Sequence, residues 1–290
     1  MTIDVRIVNA FIDDAGGGNP AGVVLDADSL SPAQKLAAAK QVGLSETAFV
    51  SKSKSATFRL EFFTPSRQIA HCGHATIATF SLLRQLGLVG EGRCSKETID
   101  GNRDILIEGT MAFMEQKAPR YTELPAATEA RALASLRLSK EQLLVGTQPC
   151  VVNTGNSFLL VAVKDEATLQ SIVPKLPEIG AVSESLDLIG YYVFSRATKK
   201  PGRAAGTRMF APRFGIPEEA GTGMAAGPLA CFLHDRMGVA ETTLWLEQGW
   251  FMPAPSPSVI KVNLELENGG IKRLMAGGKA KSMSTVRVEV

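Results

Sequence analysis

Paired cysteines, clustered histidines, long apolar runs and an excess of either charge are all missing from this 290-residue chain. The four cysteines (Cys72, Cys94, Cys150 and Cys231) contain no CxxC pair, which excludes a disulfide scaffold and a zinc site of ordinary spacing. Histidine occurs only three times, at His71, His74 and His234. His71 and His74 stand three apart, but Gly73 lies between them at a helix start, so no metal is expected there. No apolar stretch approaches the roughly 18 residues that cross a bilayer. The N-terminal run from Met1 to Arg6 alternates like a strand and lacks the apolar core of a signal peptide. Basic and acidic residues nearly balance, 31 against 29, which gives no reason to expect nucleic acid or an anionic membrane as partner. What remains is a soluble, cytoplasmic protein, long enough for two domains of about 100 to 200 residues each.

What is present is a succession of short strands with few helices between them. Val5–Val8, Val23–Leu25 and Ala48–Ser51 are compact β-branched or aromatic runs, and Phe58, Leu60 and Phe62 alternate with Arg59 and Glu61. Ile105–Ile107 and Met111–Met114 read as a hairpin turning at Gly109. Later runs are 158–163, 191–194, 244–246, 259–266 and 286–290. Ser31-Pro32 caps and opens a helix that Gly43 ends. A second helix runs from near His74 to about Leu86, stopped by Gly87, and another follows Gly223 to about Met237, stopped by Gly238. Ser139 with Gln142 reads as a capping box, and Asp165 as a helix cap. The stretch 117–131, with two prolines and no sustained apolar period, is the best linker.

The two parts repeat one another. Phe63-Thr64-Pro65, a loop, Cys72-Gly73-His74-Ala75 and an apolar helix match Phe210-Ala211-Pro212, a loop, Thr222-Gly223-Met224-Ala225 and an apolar helix. If both glycine-started helices point into one interdomain cleft, their unsatisfied first-turn N–H groups form a site for a carboxylate or an enolate-like oxyanion. Gly73 and Gly223 let a ligand approach the backbone. Such a cleft suits proton transfer at a carbon beside a carboxylate.

An ordered series of motifs carries a family resemblance: Gly18-Asn19-Pro20-Ala21-Gly22-Val23, Leu44-Ser45-Glu46-Thr47-Ala48-Phe49, Phe63-Thr64-Pro65 with Cys72-Gly73-His74-Ala75-Thr76, Asn153-Thr154-Gly155-Asn156, Met209-Phe210-Ala211-Pro212 and Gln248-Gly249. The chain resembles the phenazine-biosynthesis PhzF-like family. That resemblance implies the diaminopimelate-epimerase-like fold. It is an α+β architecture of two pseudo-symmetric domains, each a curled, mostly antiparallel sheet around a central helix. The domains are expected at 1–117 and 118–283, with a last strand, 284–290, that either stays in the second domain or returns to the first. It further implies a cofactor-independent, homodimeric isomerase, similar to trans-2,3-dihydro-3-hydroxyanthranilate isomerase. Glu46 matches its proton-abstracting glutamate and His74 its histidine. Glu219 stands near its aspartate, while Asn19, Ser45, Gly73, Thr222, Gly223 and Met224 fall at substrate-binding positions. A carboxylate base in a closed cleft needs a raised pKa, which desolvation supplies.

The chain also departs from the family pattern. Glu219 replaces an aspartate and Met224 a serine. Gln68 and Ala70 occupy commonly acidic positions, and Pro253-Ala254 replace Gly-Arg. Cys72 matches one catalytic thiol of related racemases, but its repeat-mate is Thr222, so Cys72 reads as a small buried residue. Two alternatives stay open: a non-catalytic small-acid binder that kept the cleft, and an epimerase of amino or hydroxy acids. Gly16-Gly17-Gly18 lacks the strand-loop-helix context of a dinucleotide site.

Overall fold

A computed structural model describes residues 1–14 and 16–290. In chain order the first elements are β1 (Thr2–Ala10), β2 (Asn19–Val24), α1 (Pro32–Val42), β3 (Thr47–Ser51), β4 (Phe58–Phe63), β5 (Gln68–Ile69), α2 (Gly73–Gln85), β6 (Gly92–Thr98), β7 (Gly101–Glu108) and β8 (Met111–Lys117). Then follow β9 (Arg120–Glu123), α3 (Ala126–Ser135), β10 (Cys150–Asn153), β11 (Ser157–Ala162), α4 (Glu166–Ser171), α5 (Leu176–Ser185), β12 (Gly190–Ser195) and β13 (Ala205–Ala211). The last are β14 (Ile216–Glu219), α6 (Gly223–Met237), β15 (Thr243–Gln248), β16 (Ser258–Glu267) and β17 (Gly270–Glu289). The chain divides into two compact units, Met1–Glu115 with Gly277–Val290, and Gln116–Ala276.

In the first unit, β1 pairs antiparallel with β2, β2 parallel with β3, β3 antiparallel with β4, β4 parallel with β6, and β6 antiparallel with β7. The C-terminal end of β17 joins the same sheet along β1, from Ala10↔Ala280 to Thr2↔Glu289. The sheet curls around α2, which packs on β1, β2 and β3 and is buried from Gly73 through Leu83. A helix apolar on every side belongs at the centre of a core. Phe49 and Phe63 meet edge to face beside Val5, Val24 and Val288.

The second unit repeats that order of pairing. β10 and β11 are antiparallel, β11 and β12 parallel, β12 and β13 antiparallel, β13 and β15 parallel, β15 and β16 antiparallel. Its central helix, α6, packs on β16, β10 and β11. The Phe-x-Pro bend ends β4 in one unit and β13 in the other, so the sequence repeat is a repeat of structure. The fold is α+β, with each unit a mixed, mostly antiparallel curled sheet around one buried helix.

Helix ends follow their caps. Ser31 and Gln34 form a capping box, Pro32 opens α1, and Gly43 closes it in the left-handed conformation. Three expectations need correction. The stretch 117–131 is no linker: β9 pairs with β10, and Pro125 precedes α3, whose Ala132 and Leu133 enter the core. Its prolines mark element boundaries rather than slack chain. The Ser139 capping box caps a single 3-10 turn at 140–142. The last strand is far longer than 286–290, because its middle is built of small residues. A Cβ on Gly277 would stand 2.0 Å from the Ala112 carbonyl oxygen, so this close strand approach requires glycine.

Candidate active site

After α1 ends at Gly43, three residues lead into β3, and Glu46 is the last of them. Its carbonyl accepts the Gly22 N–H of β2 at 3.0 Å, which fixes the backbone where the parallel pairing of β2 and β3 begins. The Glu46 carboxylate is buried, with Oε2 3.4 Å from Nε2 of His74, the second residue of α2. The other ring nitrogen, Nδ1, lies 3.6 Å from the Cys72 Sγ. The ring is therefore flanked by a carboxylate on one nitrogen and a thiol on the other.

Burial pushes the Cys72 thiol up, His74 opposes this, and Glu46 adds to it. A neutral imidazole that accepts S–H at Nδ1 carries its own proton on Nε2, the nitrogen nearer Glu46. Glu46, Cys72 and His74 also bring three metal-ligand types within 4.8 Å of one another. The sulfur lies nearest Nδ1 and a carboxylate oxygen nearest Nε2, so the three side chains that could hold an ion are also three neighbouring proton-bearing groups.

Gly73 is the first residue of α2, Ser45 adjoins Glu46, and Asn19 opens β2 as a buried residue three before Gly22. Asn19, Ser45, Glu46, Gly73 and His74 thus all belong to the first unit. The other candidates gather in the second, where Glu219 ends β14 and Thr222 precedes α6. The Thr222 hydroxyl donates to the Glu219 carboxylate. Met224 is half-buried, its sulfur 3.5 Å from Asn156 Nδ2. Gly223 opens α6, and its carbonyl accepts from Gln116 Nε2 at 2.9 Å, whose Oε1 accepts from Thr154 at 2.7 Å.

Gln248 organises this centre. Its Oε1 accepts from the Thr222 N–H and the Tyr192 hydroxyl, both at 3.0 Å, and its Nε2 donates to the Glu219 carbonyl at 2.7 Å and the Thr222 hydroxyl at 3.1 Å. The Thr222 N–H is therefore spent within the protein. Gly249 has φ +83°, and a Cβ there would meet the Ser256 carbonyl oxygen at 2.2 Å. Gln248-Gly249 stood among the quoted motifs, so the signal was present without the role. Gln116 and Thr154 had no such use assigned.

The model of the phenazine biosynthesis-like protein family matches residues 8–285. The chain belongs to that family. It is 33% identical over 241 residues, 80% of each chain, to the uncharacterized isomerase YddE of Escherichia coli O157:H7. It is 31% identical over 233 residues, 78% of each chain, to the trans-2,3-dihydro-3-hydroxyanthranilate isomerase of Pseudomonas fluorescens. The crystal structure of the PhzF-family phenazine biosynthesis protein of Bacillus anthracis superimposes with a TM-score of 0.88, at 26% identity over 100% of both chains. A hydroxyproline epimerase of Agrobacterium vitis shares the fold at 13% identity and a TM-score of 0.60. Several of its curated relatives are named isomerases, and this chain is an isomerase. No helix among the described residues is long and apolar enough to cross a membrane.

Proposed function

We propose that this isomerase moves a proton between carbons of a small carboxylic acid without a cofactor, with Glu46 as the base. The carrying observation is the buried Glu46–His74 pair at the start of the central helix. Glu46 takes a proton from a carbon beside a double bond; the C–H bond electrons form a new double bond, and the electron pair of the old one passes to a second carbon. The same proton, held by Glu46 beside His74, adds to that second carbon and forms the new C–H bond there. Charge and atoms balance within one substrate. The dihydro-hydroxyanthranilate named for the Pseudomonas fluorescens relative is the first substrate to test.

A two-thiol racemase is less well supported. Cys72 has a thiol, but the residue at the same place before α6 is Thr222, whose hydroxyl is engaged with Glu219.

The experiment is proton NMR in heavy water on dihydro-hydroxyanthranilate and related small acids, with wild type and Glu46→Gln. Wild type incorporates deuterium, and Glu46→Gln loses at least about a hundredfold of that rate. Equal exchange by both proteins rejects Glu46 as base. Binding without exchange identifies a non-catalytic acid binder instead.

A further inference from the structure

Strand β6 carries a lysine with no exposed surface. Lys96 is 0% exposed, and among the described residues no carboxylate pairs with its amine. Its Nζ donates to Thr76 Oγ1 at 2.6 Å, lies 3.2 Å from His71 Nδ1 and stands 5.0 Å from the centre of the Phe62 ring. Thr76, itself fully buried on α2, has already committed its own proton, donating to the Cys72 carbonyl at 2.6 Å. It therefore has only lone pairs to offer Lys96. Donation runs one way, from Lys96 to Thr76 to the carbonyl of the residue whose sulfur faces His74.

A methionine or leucine would fill this space without the cost of burying an amine. The groups facing the amine are Cys72, Arg103 on β7, Asp100 in the turn before it, and His71 in the segment before α2. Burial above all draws the amine down to about 7, with Cys72 and Asp100 opposing and Arg103 assisting. His71 is held well below its usual range by burial, with Lys96 and Arg103 acting the same way. Its neutral Nδ1 can therefore accept from the amine. In either charge state Lys96 keeps a proton for Thr76.

We propose that Lys96 is a positioning residue for the proton-transfer pair, acting through Thr76 on the backbone turn that carries Cys72 and His74. This rests on the reading of Glu46 and His74 given above. Loss of the donor frees the Thr76 hydroxyl to turn away from the Cys72 carbonyl, and the first turn of α2 shifts with it. A displacement of this kind lowers turnover more than substrate affinity, because geometry in the transition state is affected first.

Lys96→Met fills the same volume without a donor. Thr76→Val removes the relaying hydroxyl but keeps the β-branched shape, and Thr76→Ser restores it. Two readouts apply to folded protein: the ring 15N resonances of His74 in histidine-labelled protein, and kcat and KM for deuterium exchange. Lys96→Met and Thr76→Val should each move the His74 resonances and lower kcat by about tenfold or more, with KM within about twofold. The double variant should be no worse than either single one, and Thr76→Ser should resemble wild type. Unmoved resonances with wild-type kcat in Lys96→Met overturn the proposal, and additive losses in the double variant overturn the shared route. Should Lys96→Met not fold, the Thr76→Val and Thr76→Ser pair decides the matter alone. If wild type exchanges no proton with any acid, the proton-transfer reading has failed, and the His74 resonances still judge the role of Lys96.

Discussion

Replacing Gln248 by leucine tests how the polar centre of the second unit is held. Gln248 is only 1% exposed and makes four hydrogen bonds, two as acceptor and two as donor. Leucine matches its size but leaves the Thr222 N–H and the Tyr192 hydroxyl proton without an acceptor. A buried polar group left unpaired costs about 1–3 kcal/mol. Two of them, with some relaxation, give a loss of about 2–5 kcal/mol, a large share of the stability of an ordinary domain. Urea unfolding followed by circular dichroism measures it. The companion variant Tyr192→Phe makes the test specific. In the Gln248→Leu background it removes one orphaned hydroxyl, and Thr207 still has the Glu247 carbonyl at 2.8 Å to donate to. The double variant should therefore recover about 1–2 kcal/mol relative to Gln248→Leu alone. A loss below about 1 kcal/mol, or no recovery on adding Tyr192→Phe, would refute the reasoning.

Two further perturbations follow. Lys35 and Glu61 form an ion pair with side chains only 6% and 12% exposed, and the other cation near Glu61, Arg59, stands 3.8 Å away on an exposed side chain. Lys35→Met should cost about 3 kcal/mol in urea unfolding by stranding Glu61, and adding Glu61→Leu should recover most of it; a double variant as unstable as the single one refutes this. Lys96 titrates near 7 in the fold against 10.5 for an ordinary lysine, so between those values the unfolded chain binds the extra proton and wild type gains stability as pH rises. The stability of wild type relative to Lys96→Met should climb between pH 7 and 10 by up to about 1.4 kcal/mol per pH unit and stay level below 7; a difference independent of pH across that range sinks the assignment.

The helices were legible because their ends are chemical: Ser31, Gln34 and Gly43 frame α1, and Gly223 and Gly238 frame α6. The strands that escaped notice had inner faces that do not read as inner. β6 points Lys96, not an apolar residue, into the core, which breaks the alternation a reader looks for. β5 and β14 are too short to show any period. Glu46 and His74 were each legible from their motifs, but their meeting was not. It depends on a parallel pairing of β2 with β3 and on α2 packing against both, contacts that no local window contains. The Gln248 hub lay further still from reading, since it joins β15, β14, β12 and the start of α6.

The repeat also shows where the two units stopped being equivalent. Aligned by topology, Cys72, Gly73 and His74 at the start of α2 correspond to Thr222, Gly223 and Met224 at the start of α6. The thiol turns to an imidazole in one unit, and the hydroxyl turns to a carboxylate in the other. Of the two helix starts, only that of α2 sets an imidazole beside a carboxylate. At the matching helical position the second has a thioether, which cannot carry a proton near neutral pH. A racemase that worked from both sides of a carbon with matched groups would keep the two helix starts alike. A molecule in which one helix start holds the proton-carrying groups and the other a fixed hydrogen-bond network is better suited to taking up and returning a proton through a single carboxylate. This asymmetry supports the proposal that Glu46 is the base, with the second unit's network holding its own helix start in place.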